Sequence, residues 1–215
     1  MLSENTLAEV KLLVSRYPVL NPLEDAVIKS VELIAASCRS GGKLLVCGNG
    51  GSASDSLHIV GELMKSFVLK REISLELREK FTAQYPEEAS YYIKNLQGAI
   101  PAISLVNEVA LTTAYGNDQS SELAFAQQVL GYGRAGDVLI AISTSGNSAN
   151  VIHAARVART IGVSVISMTG ESGGQLKRLS DVLLNVPSSA TYQIQELHLP
   201  VYHAICLALE KELFI

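Results

Sequence analysis

The sequence predicts a doubly wound α/β domain with a five-stranded parallel sheet flanked by helices, and three observations support this fold class. Five apolar runs of strand length follow one another, at residues 43–47, 99–105, 137–142, 163–168 and 182–186. Segments with helical spacing separate these runs, instead of the two-residue turns that join antiparallel strands. The runs are nearly continuous in Val, Ile and Leu, which is typical of parallel strands buried on both faces.

Helices are also predicted before and after this sheet. Apolar residues recur at helical spacing over residues 5–37, and Pro18 and Pro22 interrupt them because proline lacks the N–H that continues a helix. We therefore expect two N-terminal helices within residues 1–40, with a turn between them. Residues 191–214 predict a closing helix, in which Pro200 predicts a kink.

Residues 70–97 contain a larger share of charged residues than the rest of the chain. Charged residues of both signs recur there at helical spacing around Tyr85-Pro86, which predicts a helical insertion made of two short helices. Mixed charge on a helix usually faces water, so the first interpretation is a solvated insertion. A lid or a subunit contact is the alternative.

Composition limits the classes of function. The 215 residues fit a single domain spanning 1–215, and 48% hydrophobic with 18% charged residues favours a well-filled core. A net charge of −4 gives no basic footprint, so we expect no nucleic-acid partner. The three cysteines are far apart, and no apolar run reaches the ~20 residues that cross a bilayer. These features predict reduced thiols, no membrane partner and a cytoplasmic protein.

Two short loops rich in glycine and serine carry the strongest functional signal. The first loop, residues 48–52, reads Gly-Asn-Gly-Gly-Ser, and the second loop, residues 143–148, reads Ser-Thr-Ser-Gly-Asn-Ser. Each follows a predicted strand and precedes a helical pattern, so unpaired backbone N–H groups and the positive end of a helix dipole converge there. Neither loop matches a P-loop or a dinucleotide fingerprint. Together they predict a site for a small phosphorylated molecule, against the plainer interpretation of ordinary strand–helix loops.

Several side chains near the first loop and in the closing helix are candidate metal ligands. His58 and Glu62 are spaced i, i+4 and project from one helix face. That spacing suits zinc or a similar divalent ion, but it also suits a histidine with an ordinary structural role. The closing helix adds Gln195, His198 and His203. Gln195 and His203 lie roughly 12 Å apart along a straight helix, so either the helix bends or the two serve different sites.

Five motifs, taken together and in order, resemble the phosphoheptose isomerase (sedoheptulose 7-phosphate isomerase) branch of the SIS (sugar isomerase) domain family. They are the first loop, His58 with Glu62, Asn117-Asp118, the second loop, and the segment from Gln195 to His203. The resemblance covers nearly the whole chain except the insertion. It implies a single SIS domain, a homotetramer with active sites at subunit interfaces, a sugar phosphate substrate and a zinc cofactor.

The resemblance also implies roles for individual residues. It makes Glu62 and His203 the acid/base pair, with Glu62 moving a proton between C1 and C2 through an enediol(ate) and His203 handling the oxygen protons. It places zinc on His58, Glu62, Gln195 and His203. The residues that it implies for substrate binding are Asn49, Gly50, Gly51, Ser52, Glu62, Asn117, Asp118, Ser143, Thr144, Ser145, Ser148 and Gln195.

The chain departs from the family pattern at two places that bear on the substrate. Tyr192-Gln193 stands where an acidic and then a basic residue often precede the glutamine. Ser66, beside Lys65, stands where an arginine often follows the first glutamate. Both departures alter the expected substrate contacts.

The resulting hypothesis is an aldose–ketose isomerase that converts sedoheptulose 7-phosphate to D-glycero-D-manno-heptose 7-phosphate. Such an enzyme would feed nucleotide-activated heptose for surface polysaccharide. The alternative is a non-catalytic SIS module that senses a phosphosugar or serves as a tetrameric adaptor. A related sugar-phosphate lyase or etherase is a third hypothesis.

Overall fold

Five parallel strands form the predicted sheet in a computed structural model that describes residues 2–215. The strands are β1 (Leu44–Cys47), β2 (Ala102–Ser104), β3 (Val138–Ile142), β4 (Ser164–Thr169) and β5 (Val182–Asn185). Their spatial order is β2-β1-β3-β4-β5, with Leu44 of β1 level with Ala102 on one side and Val138 on the other. The predicted fold class is therefore confirmed.

Nine α-helices connect and cover these strands within the described residues. They are α1 (Glu4–Arg16), α2 (Glu24–Arg39), α3 (Gly51–Met64), α4 (Leu75–Gln84), α5 (Ala89–Asn95), α6 (Val109–Tyr115), α7 (Ala124–Tyr132), α8 (Ala149–Thr160) and α9 (Thr191–Phe214). A 3-10 turn at Pro18–Leu23 separates α1 from α2, as the two prolines predict. The helix α9 runs from Thr191 to Phe214 with Pro200 inside it, so the expected kink does not interrupt the helix.

The core has two layers because successive side chains of a strand point to opposite faces. Leu44 and Val46 of β1 pack into the layer that contains α1, α2, α3 and α9. Leu45 and Cys47 pack into the layer that contains α7 and α8. Helices thus cover both faces of the sheet, which is why its strands are apolar along their whole length.

The insertion consists of α4 and α5, as the charge pattern predicts. The helix α4 buries none of its residues, and Phe81 stacks on Tyr92 of α5 with ring centroids 5.1 Å apart. Arg71, which precedes these helices, is fully buried and pairs with Glu210 of α9 at 2.7 Å. The insertion is therefore solvated along α4 but fixed to the core at its start. In the part of the chain that the structure describes, no helix is long and apolar enough to cross a bilayer.

Candidate active site

The first and second loops lie side by side at the carboxyl edge of the sheet. The first loop follows β1 and the second follows β3, and these strands are hydrogen-bonded neighbours. The sheet order reverses direction between β1 and β3, because β2 lies on one side of β1 and the later strands lie on the other. Open α/β sheets bind ligands at such a switch point, so the fold itself places both loops where a ligand is expected.

Glycines give the first loop its shape. Gly50 has φ +56° and ψ −120°, a backbone conformation that side chains with a Cβ rarely adopt. Gly51 begins α3, and a Cβ there would collide with the side-chain amide of Gln195. Gln195 of α9 therefore packs against one side of the first loop. This contact lies at the N-terminal end of α3, where the helix dipole favours an anion.

Hydroxyl groups and one glycine shape the second loop. Ser143 and Ser148 are hydrogen-bonded through their hydroxyls at 2.9 Å, across the turn that leads into α8. Gly146 has φ +66°, and a Cβ there would collide with the carbonyl of Gly173. The Asn147 side chain accepts a hydrogen bond from the backbone N–H of Gln175, so it fixes the loop to the segment after β4.

A pair of amides joins the first loop to the start of α8, the helix that follows the second loop. Asn49 and Asn150 exchange two hydrogen bonds of 2.9 Å, one in each direction. Asn49, Ser148 and Asn150 line an open cavity of about 350 Å³ together with Ser121 and Glu122. Thr144 and Ser145 line a different cavity of about 280 Å³, beside Gly170 and Ser188. The predicted hydroxyl groups of Ser148 and of Thr144 with Ser145 therefore line two different cavities, whereas Ser52 and Ser143 are buried.

A second group of predicted residues meets between α3 and α9, and we call it the His58 cluster: His58, Glu62 and His203. His58 Nε2 lies 3.4 Å from Glu62 Oε1, and the rings of His58 and His203 have centroids 4.9 Å apart. Lys65 Nζ donates to the other Glu62 oxygen at 3.1 Å. The His58 side chain is 44% exposed and that of Glu62 is 15% exposed, so the cluster is open to a ligand.

One ring nitrogen of this cluster is buried without a partner. His203 Nε2 finds no hydrogen-bond acceptor or donor among residues 2–215. Burial lowers the pKa of His203, His58 lowers it further, and Glu62 acts in the opposite direction. A neutral imidazole with an unpaired nitrogen is a form that accepts a proton or binds a metal ion.

The donor chemistry of the His58 cluster suits zinc. Two ligands about 2.0–2.1 Å from a tetrahedral zinc ion lie roughly 3.4 Å apart, and His58 Nε2 and Glu62 Oε1 show that separation. The unpaired Nε2 of His203 is the nearby nitrogen that could serve as a third donor. Within the described residues, no three His, Cys, Asp or Glu side chains already converge closely enough to hold a metal ion. Zinc held by all three side chains would therefore require the His203 side chain to move closer to the other two.

The structure does not bring every predicted residue to one place. Gln195 abuts Gly51, which lies roughly 10 Å along α3 from His58. Glu62 lies eleven residues after Gly51, or roughly 16 Å along the helix. Asn117 and Asp118 are exposed and hydrogen-bonded to one another at 2.9 Å. In one chain, the loops and the His58 cluster are thus separate sets.

Three further residues at the site were not predicted from the sequence. Tyr202 donates towards Asp55 and contacts His58, and Asn150 pairs with Asn49 as described above. Burial raises the pKa of Tyr202, and the Asp55 carboxylate raises it further, so the hydroxyl keeps its proton at neutral pH. Asp55 precedes His58 by one helical turn, and that i, i+3 spacing is the only signal the sequence offers for it.

Comparison with known proteins gives the family. The SIS domain family matches residues 8–99 and 87–170. The chain belongs to the SIS domain family. The motifs that carry the resemblance therefore identify the correct family, and the doubly wound sheet is the fold of its solved members.

Curated relatives and solved structures agree with this assignment. A phosphoheptose isomerase from Rhodospirillum rubrum is 38% identical over 87% of this chain and 86% of its own length. A phosphoheptose isomerase from Burkholderia pseudomallei is 35% identical over 98% of this chain and 93% of its own length. The structure of phosphoheptose isomerase from Neisseria gonorrhoeae has a TM-score of 0.73 and 34% identity, covering 95% of this chain and 94% of that one.

Proposed function

We propose that this chain is a phosphosugar isomerase that interconverts sedoheptulose 7-phosphate and D-glycero-D-manno-heptose 7-phosphate. The observation that carries the proposal is the pairing of two phosphate-type loops at the switch point with a proton-transferring glutamate and histidine between α3 and α9. Relatives that are 35–39% identical bear the name phosphoheptose isomerase. A non-catalytic sensor or adaptor has no chemical need for this glutamate and histidine.

The reaction requires a proton to move between two neighbouring carbons. Glu62 takes the proton from C1 of the ketose and returns it to C2, through an enediol(ate). Because burial lowers its pKa, His203 is neutral at pH 7 and moves protons between the two oxygens. The loops hold the phosphate away from the reacting carbons, so its binding energy positions them.

Zinc fits the His58 cluster, and we assign it to His58, Glu62 and His203. When bound, the ion polarises a sugar oxygen and fixes the side chains around it. Gln195 is the fourth proposed ligand. Because its amide abuts Gly51 in its own chain, we assign that ligand to a neighbouring copy.

The separation of the two sets supports an active site shared between copies of this chain. The loops with Gln195 form one half, and the His58 cluster forms the other. Exposed apolar side chains lie around the His58 cluster, and they are Leu12, Leu57, Met64 and Leu199. An exposed apolar surface of this kind suits contact with another protein. We therefore propose a homotetramer in which each site takes one half from each of two subunits. We also propose a cytoplasmic enzyme that supplies heptose for surface polysaccharide.

A panel of five-, six- and seven-carbon ketose phosphates tests the activity. The full chain is incubated with each compound, with and without a metal chelator, and products are followed by NMR. The proposal predicts conversion of sedoheptulose 7-phosphate to the aldose, and loss of that conversion with chelator. Tight binding of these compounds without turnover, in zinc-loaded protein, would contradict it and favour the sensor alternative.

Mixing of inactive variants tests the shared site. Gln195→Ala damages one half and Glu62→Gln damages the other, so each homo-oligomer is expected to be inactive. Random assortment of the two variants should restore about a quarter of the sites, because a quarter combine two intact halves. As a control, Glu62→Gln mixed with His203→Ala should stay inactive, since both changes lie in the same half. A Gln195→Ala and Glu62→Gln mixture that stays inactive would place the site within one chain.

A further inference from the structure

The Tyr202 hydroxyl lies between two side chains of α3. Its oxygen is 3.0 Å from His58 Nδ1 and 3.4 Å from Asp55 Oδ1. Tyr202 is only 2% exposed, and the second carboxylate oxygen of Asp55 is buried without a hydrogen-bond partner in residues 2–215. Tyr202 immediately precedes His203 in α9, so one helix delivers both the hydroxyl and a proposed zinc ligand.

The hydrogen-bond partners of Tyr202 determine which nitrogen of His58 carries the ring proton. An ionised carboxylate only accepts hydrogen bonds, so the single hydroxyl proton of Tyr202 points to Asp55. The hydroxyl oxygen is then left to accept, and the group that faces it is His58 Nδ1. A neutral His58 ring therefore carries its proton on Nδ1, which leaves a lone pair on Nε2.

That lone pair faces another acceptor. His58 Nε2 lies 3.4 Å from the Glu62 Oε1 carboxylate oxygen. Two acceptors that face one another at this separation repel, unless a proton or a cation lies between them. The Asp55 and Tyr202 side chains exclude a proton on Nε2 of neutral His58, so the arrangement is complementary to a metal cation.

We propose that Tyr202 and Asp55 are positioning residues that hold His58 in the Nδ1-protonated form and so present Nε2 to zinc. The proposal rests on the proposed function, because it takes His58 as a zinc ligand. Metal-bound histidines commonly donate their other ring N–H to an oxygen, and loss of that oxygen weakens metal binding. In this chain the oxygen is a tyrosine hydroxyl that a buried carboxylate orients in turn.

The first test reads the ring proton directly in the metal-free full chain. Long-range proton–nitrogen NMR correlations of the histidine rings show which nitrogen of His58 is protonated. The proposal predicts Nδ1 in the unmodified protein at neutral pH, and a mixture of both forms in Tyr202→Phe. Protonation of Nε2 in the unmodified protein would overturn it, and that reading depends on neither a variant nor catalysis.

The second test measures zinc affinity by competition with a chromogenic chelator. Tyr202→Phe, which removes one oxygen atom, should weaken zinc binding 10- to 100-fold. Asp55→Asn keeps an acceptor oxygen and should weaken it less than Asp55→Ala. Tyr132→Phe, on the opposite face of the sheet, is the matched control and should leave the affinity unchanged.

The outcomes separate this inference from the proposed function. Unchanged zinc affinity in folded Tyr202→Phe would overturn the positioning role and leave the isomerase intact. A wild-type chain that takes up no zinc would overturn both the positioning role and the zinc assignment. The result of the ketose phosphate panel would still stand in that case.

Discussion

Two regions of α9, around Glu210 and around His203, differ in how fully their polar atoms are paired. Around Glu210, Arg71 donates to the carboxylate and to the carbonyls of Leu63 and Glu62, and the carboxylate also accepts three backbone N–H groups. Two helical turns earlier on α9, His203 leaves a buried nitrogen unpaired. The helix α9 thus forms a closed ion pair with the segment after α3 and, two turns earlier, an open cluster with α3 itself.

This difference separates a structural role from a functional one. A buried charge that is fully hydrogen-bonded has no remaining capacity for a ligand, and its loss is costly to the fold. A buried polar atom without a partner is rare and needs a reason, such as a missing ion or a catalytic role. The fully paired Arg71–Glu210 group fits a stabilising role, and the unpaired nitrogen of His203 fits the chemistry proposed for the His58 cluster.

The largest expected effect on stability is at the closed pair. Arg71→Met leaves the buried Glu210 carboxylate without its cation and should lower the free energy of unfolding by about 3–5 kcal/mol. Arg159→Met is the control, because its partner Asp181 is exposed and such pairs contribute about 0–1 kcal/mol. Denaturant unfolding measures both. Equal losses of stability in the two variants would show that the buried pair contributes no more than the exposed pair.

The C-terminal end of α9 should also be sensitive to acid. Burial alone would raise the pKa of Glu212, but hydrogen bonds from Arg39, the Ser3 N–H and Thr6 lower it to about 2. The unfolded chain binds this proton near the ordinary glutamate pKa of about 4.3, so stability is present above that pH and is lost as the pH falls towards 2.

Glu212→Gln isolates this contribution. The variant removes the titrating group, so its free energy of unfolding should be lower at pH 7 and should fall less steeply between pH 4.5 and 2 than that of the unmodified chain. Denaturant unfolding at a series of pH values measures the slopes. Parallel curves for the two proteins would refute the assignment.

A smaller effect is expected at the first loop. Gly50→Ala forces a Cβ into a backbone conformation that only glycine adopts readily, at a cost of about 1–3 kcal/mol. Gly131→Ala lies inside α7 with open space around the new Cβ, and it should stabilise by about 0.5–1 kcal/mol instead. Opposite signs in the two variants would locate the strain at the ligand loop. An unchanged free energy of unfolding in Gly50→Ala would mean that the first loop stores no backbone strain.

The sequence predicts the fold and the position of the two loops at the strand ends well because their signals are local. Each strand is a continuous apolar run, and each loop lies next to its own strand and helix. The pairing of His58 with Glu62 is also predictable from local sequence, because one helical turn separates them. His203 joined them through the family resemblance, and the structure confirms only that its ring lies beside His58.

The remaining features depend on contacts that no local pattern encodes. Arg71 and Glu210 are 139 residues apart, and Asn49 and Asn150 are 101 apart. Tyr202 looks like an ordinary apolar position of α9, and only the folded structure places its hydroxyl on His58. The division between loops and His58 cluster also follows from geometry, because it depends on the length of α3.

Isomerisation in heavy water by Glu62→Gln tests the central claim most directly. A proton held by the Glu62 carboxylate exchanges with solvent, so the unmodified enzyme should place deuterium at C2 of the aldose product. Glu62→Gln should lower both turnover and deuterium incorporation 10²- to 10⁴-fold while the free energy of unfolding stays unchanged. Glu87→Gln, on the exposed insertion, should behave as wild type. Full turnover with deuterium at C2 in Glu62→Gln would contradict the assignment of the His58 cluster as the catalytic centre.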